Sequence, residues 1–119
     1  MLNTAKKALV IDDCQLTAKM LGMLLKHQSY QVCYAYDGTS SLDILKKSED
    51  YSLILMDLGL PDIHGIELVK KFRELEFLKS TKIIAITGRS DETEEYYLRA
   101  GFDIFLIKPC DLKQLAKLF

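Results

Sequence analysis

The chain has 119 residues, a length that suits one compact domain, and 49% of them are hydrophobic, enough to build a core. Charged residues make up 28% and nearly cancel to a net charge of −1, which excludes the one-sided basic footprint of a nucleic-acid-binding domain. No apolar run approaches the roughly 18 residues needed to cross a bilayer, and the start MLNTAKKALVIDD has neither the apolar core nor the cleavage site of a secretory signal, so a cytoplasmic protein is expected.

Ala8 to Ile11 reads as a first strand, ending at Asp12-Asp13. Leu16, Met20, Met23 and Leu24 then recur at helical spacing and predict a helix with that stripe as its apolar face. Gln31 to Ala35 is a second strand, less apolar than the first and so expected nearer a sheet edge. Asp37-Gly38-Thr39 opens a helix carrying Leu42 and Leu45, and Leu53 to Met56 is a third strand. Leu68, Phe72 and Leu75 mark one face of the next helix, and Ile83 to Ile86 a fourth strand ending at Thr87-Gly88.

Asp91 to Ala100 predicts a further helix, with Asp91 and Glu94 at capping-box spacing, an apolar face of Tyr97, Leu98 and Ala100, and Gly101 as its stop. Such a narrow apolar face implies a loosely held helix. Phe102 to Ile107 contains a fifth strand ending at Lys108-Pro109, and DLKQLAKLF forms a closing amphipathic helix on Leu112, Leu115, Ala116 and Phe119. Cys14, Cys33 and Cys110 are odd in number and match no zinc spacing, so reduced thiols are expected.

Strand and helix alternate throughout, and four of the strands are nearly continuous apolar runs. Strands buried on both faces look like this, and a parallel sheet covered by helices on each side is the usual cause. The fold expected is a doubly wound α/β domain of the flavodoxin-like (βα)5 type, strand order 2-1-3-4-5, with residues 1–119 as a single domain. In that order the binding crevice lies where the strand order reverses, at the carboxyl ends of strands one and three.

The polar residues that interrupt the pattern fall at those carboxyl ends: Asp12, Asp13, Asp57, Thr87 and Lys108. Three carboxylates brought together repel one another, and a hard divalent cation with oxygen ligands removes the problem. Mg2+, with Mn2+ as a substitute, is therefore the expected cofactor, held by Asp12, Asp13, Asp57 and the backbone carbonyl of Gly59. A carboxylate can attack phosphorus and form an aspartyl phosphate, which makes Asp57 the candidate nucleophile. Mg2+ and Lys108 would supply positive charge, the Thr87 hydroxyl would bind phosphoryl oxygens, and Gly88 would leave space for the group to approach.

The stretches VIDDCQ, LILMDLGLPDIHGIEL, IIAITG and AGFDIFLIKP, in this order and followed by a closing helix, resemble the receiver domain of bacterial two-component response regulators. The GLPD wording is similar to receivers attached to hybrid sensor histidine kinases. The resemblance implies phosphoryl transfer from a phosphohistidine to Asp57, with a histidine kinase or histidine-phosphotransfer protein as donor. It implies that Asp13 binds magnesium more directly than Asp12, that Thr87 and Phe105 form a switch pair, and that the bond before Pro109 is cis. It also implies a downstream protein target or linked output domain, and a phosphorylation-dependent homodimer. Activation would then change the surface of helix four, strand five and helix five.

Such a domain accepts phosphate on its own side chain and is not a conventional enzyme, although some self-dephosphorylation is expected. Gly59 and Arg89 occupy positions that vary in the family and influence phosphate loss; Gly59 has no side chain to orient a water, and slow loss is expected. His64 stands where many receivers carry Asp, and reads as a loop residue without a chemical role.

Taken singly, each feature has a plainer reading: Asp12-Asp13 as a helix cap, Asp57 as a strand-end acid, Phe105 as a core aromatic. The alternative for the whole chain is a phosphorylation-independent pseudo-receiver that only binds protein. The intact acid, hydroxyl and lysine set argues against it. An FMN site would need a phosphate cradle after strand one, where Asp12-Asp13 would repel phosphate. Haloacid-type phosphatases need a second Asp two residues after the nucleophile, where Gly59 stands.

Overall fold

A computed structural model describes residues 6–47, 50–88 and 92–108, together with 114 and 117. In chain order the elements are β1 (Lys7–Ile11), α1 (Gln15–His27), β2 (Gln31–Ala35), α2 (Gly38–Lys47), β3 (Tyr51–Met56), α3 (Gly65–Glu74), a 3-10 turn (Glu76–Leu78), β4 (Lys82–Thr87), α4 (Glu94–Ala100) and β5 (Ile104–Ile107). The strands pair in parallel in the order β2-β1-β3-β4-β5. The expected closing helix falls on residues of which only Gln114 and Lys117 are described, and Pro109 and Cys110 lie outside the described residues.

The burial pattern explains why these strands sit where they do. Ala8 to Ile11 and Leu53 to Met56 are buried almost without interruption, as central strands of a covered sheet must be. β2 is only half-buried along most of its length and lies at the edge. Alternate side chains feed two separate cores. Leu9, Ile11, Ile54, Met56, Ile83 and Ala85 pack with Leu45 of α2, Phe72 of α3 and Tyr97 of α4. Ala8, Val10, Leu53, Leu55, Ile84 and Ile86 pack with Ala18, Leu21 and Leu25 of α1.

The stripe expected to bury α1 does not. Leu16, Met20 and Met23 are exposed, whereas Ala18, Leu21, Gly22 and Leu25 face the sheet and Leu24 is half-buried beside them. The reason is steric. Tyr34 of β2 lies so close to α1 that a Cβ at position 22 would clash with its hydroxyl oxygen and ring. The helix therefore approaches the sheet on its small-residue side, and the larger side chains are left outside.

Two helix ends also differ from the expectation. α3 stops at Glu74, with Leu75 in an extended conformation as its C-cap, so its buried face is Leu68, Val69 and Phe72. α4 starts at Glu94, and its N-cap is Thr93, whose Oγ1 accepts from the Tyr96 N–H at 3.1 Å. Asp91, the expected cap, lies outside the described residues. Of the expected α4 face, Tyr97 is buried, Ala100 is half-buried and Leu98 is exposed. Gly101 does end the helix, at φ 133°, a conformation that other residues rarely adopt.

Arg73 joins the end of α3 to three other segments. Its Nε donates to the Gly101 carbonyl at 2.9 Å, its Nη1 donates to the Leu78 and Thr81 carbonyls at 2.8 Å each, and its Nη2 pairs with Asp103 Oδ2 at 2.8 Å. The same Asp103 oxygen accepts from the Ile83 N–H. One planar fork thus serves three backbone carbonyls, of which that of Leu78 also accepts from the Thr81 N–H at 3.2 Å. Arg73→Ala removes these hydrogen bonds and the Asp103 pair, and should lower unfolding stability by roughly 2–3 kcal/mol, read as a drop in the chemical-denaturation midpoint; Arg73→Lys should recover only a minor part, because an ammonium cannot span the fork.

Candidate functional site: an acid cluster at the carboxyl edge of the sheet

The parallel arrangement sends the carboxyl ends of all five strands to one edge, and short backbone links hold the residues just beyond them in place. The Asp12 N–H donates to the Ala35 carbonyl at 3.1 Å, the Asp57 N–H to the Ile11 carbonyl at 2.8 Å, and the Lys108 N–H to the Thr87 carbonyl at 2.7 Å. The sheet ladder therefore extends one residue further at each of these points, and the side chains that follow it converge.

Asp12, Asp13 and Asp57 each offer a carboxylate oxygen, and these oxygens lie within 4.8 Å of one another. Asp12 is buried at 1% exposure, Asp57 is half-buried and Asp13 is exposed. Lys108 reaches back over them: its Nζ donates to Asp12 Oδ2 at 2.9 Å and to Asp57 Oδ2 at 3.3 Å. The other Asp12 oxygen accepts from the Cys14 N–H at 2.9 Å, and the other Asp57 oxygen from the Gly59 N–H at 3.1 Å. Asp12 is thus not the helix cap of the plainer reading; the α1 N-cap is Cys14, without a side-chain cap bond.

Burial works against the charged form of Lys108, but hydrogen bonding to Asp12 and the charges of Asp57 and Asp12 outweigh it, so the ammonium is held above its ordinary range. Three carboxylates around that one ammonium leave two negative charges in the cluster. All the donors are hard oxygens, and one side of the cluster is open at Asp13. That donor set and residual charge fit a hard divalent cation such as Mg2+, which takes few protein ligands and keeps several waters.

Thr87 ends β4 at the same edge and is buried, while Gly88 beside it is exposed. Among the described residues, a Cβ at Gly88 would meet nothing within 4 Å. Phe105 is buried on the α4 side of β5 and stacks on Tyr97, with ring centroids 4.4 Å apart and planes 2° from parallel. Ile107, two residues on, is exposed. Arg89 lies outside the described residues.

The loop from β3 to α3 is pinned along its length. Leu58 and Leu60 are buried on either side of exposed Gly59. Leu58 lies against Gly65, where an added Cβ would come within 2.5 Å of its Cδ2. Asp62 Oδ1 accepts from the Gly38 N–H at 2.8 Å and the Ile63 N–H at 2.9 Å, and Oδ2 from the Thr39 N–H at 2.9 Å and the Thr39 hydroxyl at 2.7 Å. Hydrogen bonds from the Thr39 hydroxyl and the Gly38 and Thr39 amides hold this carboxyl well below the usual carboxylate range. His64, for which the residue pattern suggested no role, is the N-cap of α3: its Nδ1 accepts from the Ile66 N–H at 3.3 Å. Its position immediately before a helix-opening Gly65 was the available signal, but histidine is not among the preferred cap residues. Asp62 gave no local signal, because its partners are 23 and 24 positions away.

A model of the response regulator receiver domain family matches residues 8–119. Response regulator ArlR of Staphylococcus aureus is 39% identical over 108 residues, covering 90% of this chain and 48% of that protein, so the chain spans about half the length of the curated relatives it matches. Among solved structures, a CheY-like receiver domain from Methylobacillus flagellatus superposes with a TM-score of 0.86 at 30% identity, covering 97% of this chain and 96% of that one. A response regulator protein from Burkholderia pseudomallei, with a phosphorylated aspartic acid and a calcium ion, superposes with a TM-score of 0.83 at 25% identity, covering 93% of this chain and 64% of that one. With the five-stranded order β2-β1-β3-β4-β5 and a family match over nearly its whole length, the chain belongs to the response regulator receiver domains of two-component signalling.

Proposed function

We propose that this receiver domain takes a phosphoryl group from a phosphohistidine onto Asp57 in a divalent-cation-dependent step. The observation that carries the reading is the Lys108 ammonium bridging Asp12 and Asp57 beside Asp13, which gathers three carboxylates and a cation at one accessible edge. The Burkholderia pseudomallei structure, with its phosphorylated aspartic acid and calcium ion, supports it by similarity.

Asp12, Asp13, Asp57 and the Gly59 carbonyl would hold the Mg2+, which when bound offsets the negative charge met by incoming phosphoryl oxygens. An Asp57 carboxylate oxygen attacks phosphorus; the new P–O bond forms as the P–N bond to the donor imidazole breaks, and the imidazole leaves with the electron pair. Lys108 is close enough to transfer its contact from the Asp57 carboxylate to a phosphoryl oxygen. The Thr87 hydroxyl and the Gly88 backbone, at the end of β4, bind a second oxygen. Gly59 presents no side chain to orient a hydrolytic water, so the adduct is lost slowly. The donor is a histidine kinase or phosphotransfer protein, and the response passes to a downstream target or an output domain in a longer chain, in the cytoplasm. Phosphorylation-dependent homodimerisation is a further form that response can take.

The decisive experiment treats the protein with Mg2+ and a small acyl phosphate. Mass spectrometry should show one phosphoryl group, absent in Asp57→Asn and persisting well beyond seconds in the purified wild type. A phosphorylated Asp57→Asn protein would move the site elsewhere. No reaction from acyl phosphate or from a phosphohistidine protein would favour a binding-only pseudo-receiver.

Phosphorylation is read out by drawing Thr87 toward the new group, with Phe105 shifting against Tyr97 and α4. The bound group can move that equilibrium only by the difference in its affinity for the two states. Beryllofluoride should therefore shift the NMR resonances of the Tyr97 and Phe105 rings in the wild type, and Thr87→Ala should lose most of that shift while still binding the analogue. Equal ring shifts in both proteins would separate Thr87 from the response.

A further inference from the structure

We propose that Asp62 is a positioning residue for the cation site: by clamping the β3–α3 loop to the first turn of α2, it fixes Gly59 and so sets the affinity of the acid cluster for a divalent cation. This rests on the reading of the cluster given above and goes beyond it, because Asp62 touches none of the clustered carboxylates.

The loop runs from Asp57 to α3 and carries Gly59, the residue with the widest backbone freedom, at an exposed point. Upstream, Asp57 is tied into the sheet through its N–H. Downstream, the Asp62 carboxylate takes four hydrogen bonds, three of them from Gly38 and Thr39. The neighbouring Ile63 presses on the same turn, with its Cβ 3.0 Å from where a Gly38 Cβ would stand. Gly59 thus lies between these two fixed points, with buried Leu58 and Leu60 on either side of it.

Capping α2 does not by itself require Asp62 for every amide. Asp37 already serves the helix locally, accepting from the Ser40 N–H at 2.7 Å. The Gly38 and Thr39 amides are met instead by a carboxylate 24 and 23 positions further along the chain, which couples the start of α2 to the loop. The donors from Thr39 and Gly38 favour the ionised form of this carboxyl, which accepts on both of its oxygens.

Partners that orient the groups around a metal typically change its affinity by about 10- to 100-fold when removed; acting on one carbonyl, Asp62 belongs at the low end. The test titrates Mn2+ into the protein and follows free Mn2+ by electron paramagnetic resonance, at high salt to screen the long-range pull of an exposed carboxylate. Asp62→Ala should raise the Mn2+ Kd about tenfold. Asp62→Asn keeps the side-chain shape and one acceptor oxygen; it should fall between Asp62→Ala and wild type, and it carries the test if the alanine variant fails to fold. Asp37→Ala weakens the start of α2 without touching the loop, and should lower the melting temperature while leaving the Mn2+ Kd unchanged.

Wild-type affinity in both Asp62 variants, or an equal loss in Asp37→Ala, would overturn the proposal and leave Asp62 a helix cap only. Failure of the wild type itself to bind Mn2+, with all variants alike, would overturn the cation reading of the cluster and this proposal with it.

Discussion

Three carboxylates gathered at one sheet edge repel each other, and the domain is arranged around holding them there. Lys108 is the internal counter-ion: it ties the buried Asp12 to Asp57 and leaves Asp13 facing outward. Without an ammonium at that point Asp12 would be a buried charge with only a backbone N–H for company, an arrangement that costs several kcal/mol. The lysine neutralises only part of the cluster. What remains is an appetite for a hard cation, and that residual charge connects the fold to its proposed chemistry.

The sheet provides the convergence, and two other devices provide the rigidity. Apolar strands buried on both faces carry their carboxyl ends to a common edge, and single backbone hydrogen bonds extend the ladder to Asp12, Asp57 and Lys108. Arg73 secures the opposite part of the α3, β4 and α4 region by gathering three carbonyls and Asp103. α4 is by comparison lightly held: seven residues, with Tyr97 as its buried side chain and Leu98 exposed. Among the described residues α4 is thus anchored at its C-terminal end, where the Arg73 Nε meets the Gly101 carbonyl, and buries little along its length.

Much of this was legible in the residues. Strand and helix alternation, the edge position of β2 and the Gly101 stop follow from local pattern, and the gathering of Asp12, Asp13, Asp57 and Lys108 at one edge follows from parallel pairing. What local pattern missed was decided by tertiary contact. The larger apolar stripe of α1, Leu16, Met20 and Met23, looked like the buried face. It lost to Ala18, Leu21 and Leu25 because Tyr34 and Gly22 set how closely helix and sheet approach. Asp62 drew no reading because its partners are remote in sequence, and His64 read as a loop residue because a histidine cap is unusual.

The Lys108–Asp12 pair spans 96 positions, so its two members come from opposite ends of the described chain. A chain still emerging during synthesis holds all three acids well before it holds the ammonium that reconciles them. Pairing of β1 with β3 brings Asp12 and Asp57 to one edge by itself, so their repulsion is met before the counter-charge is in place. The ion pair that offsets that repulsion closes only once β5 and the residue after it are in place, so a chain cut before Lys108 keeps the acids without their ammonium.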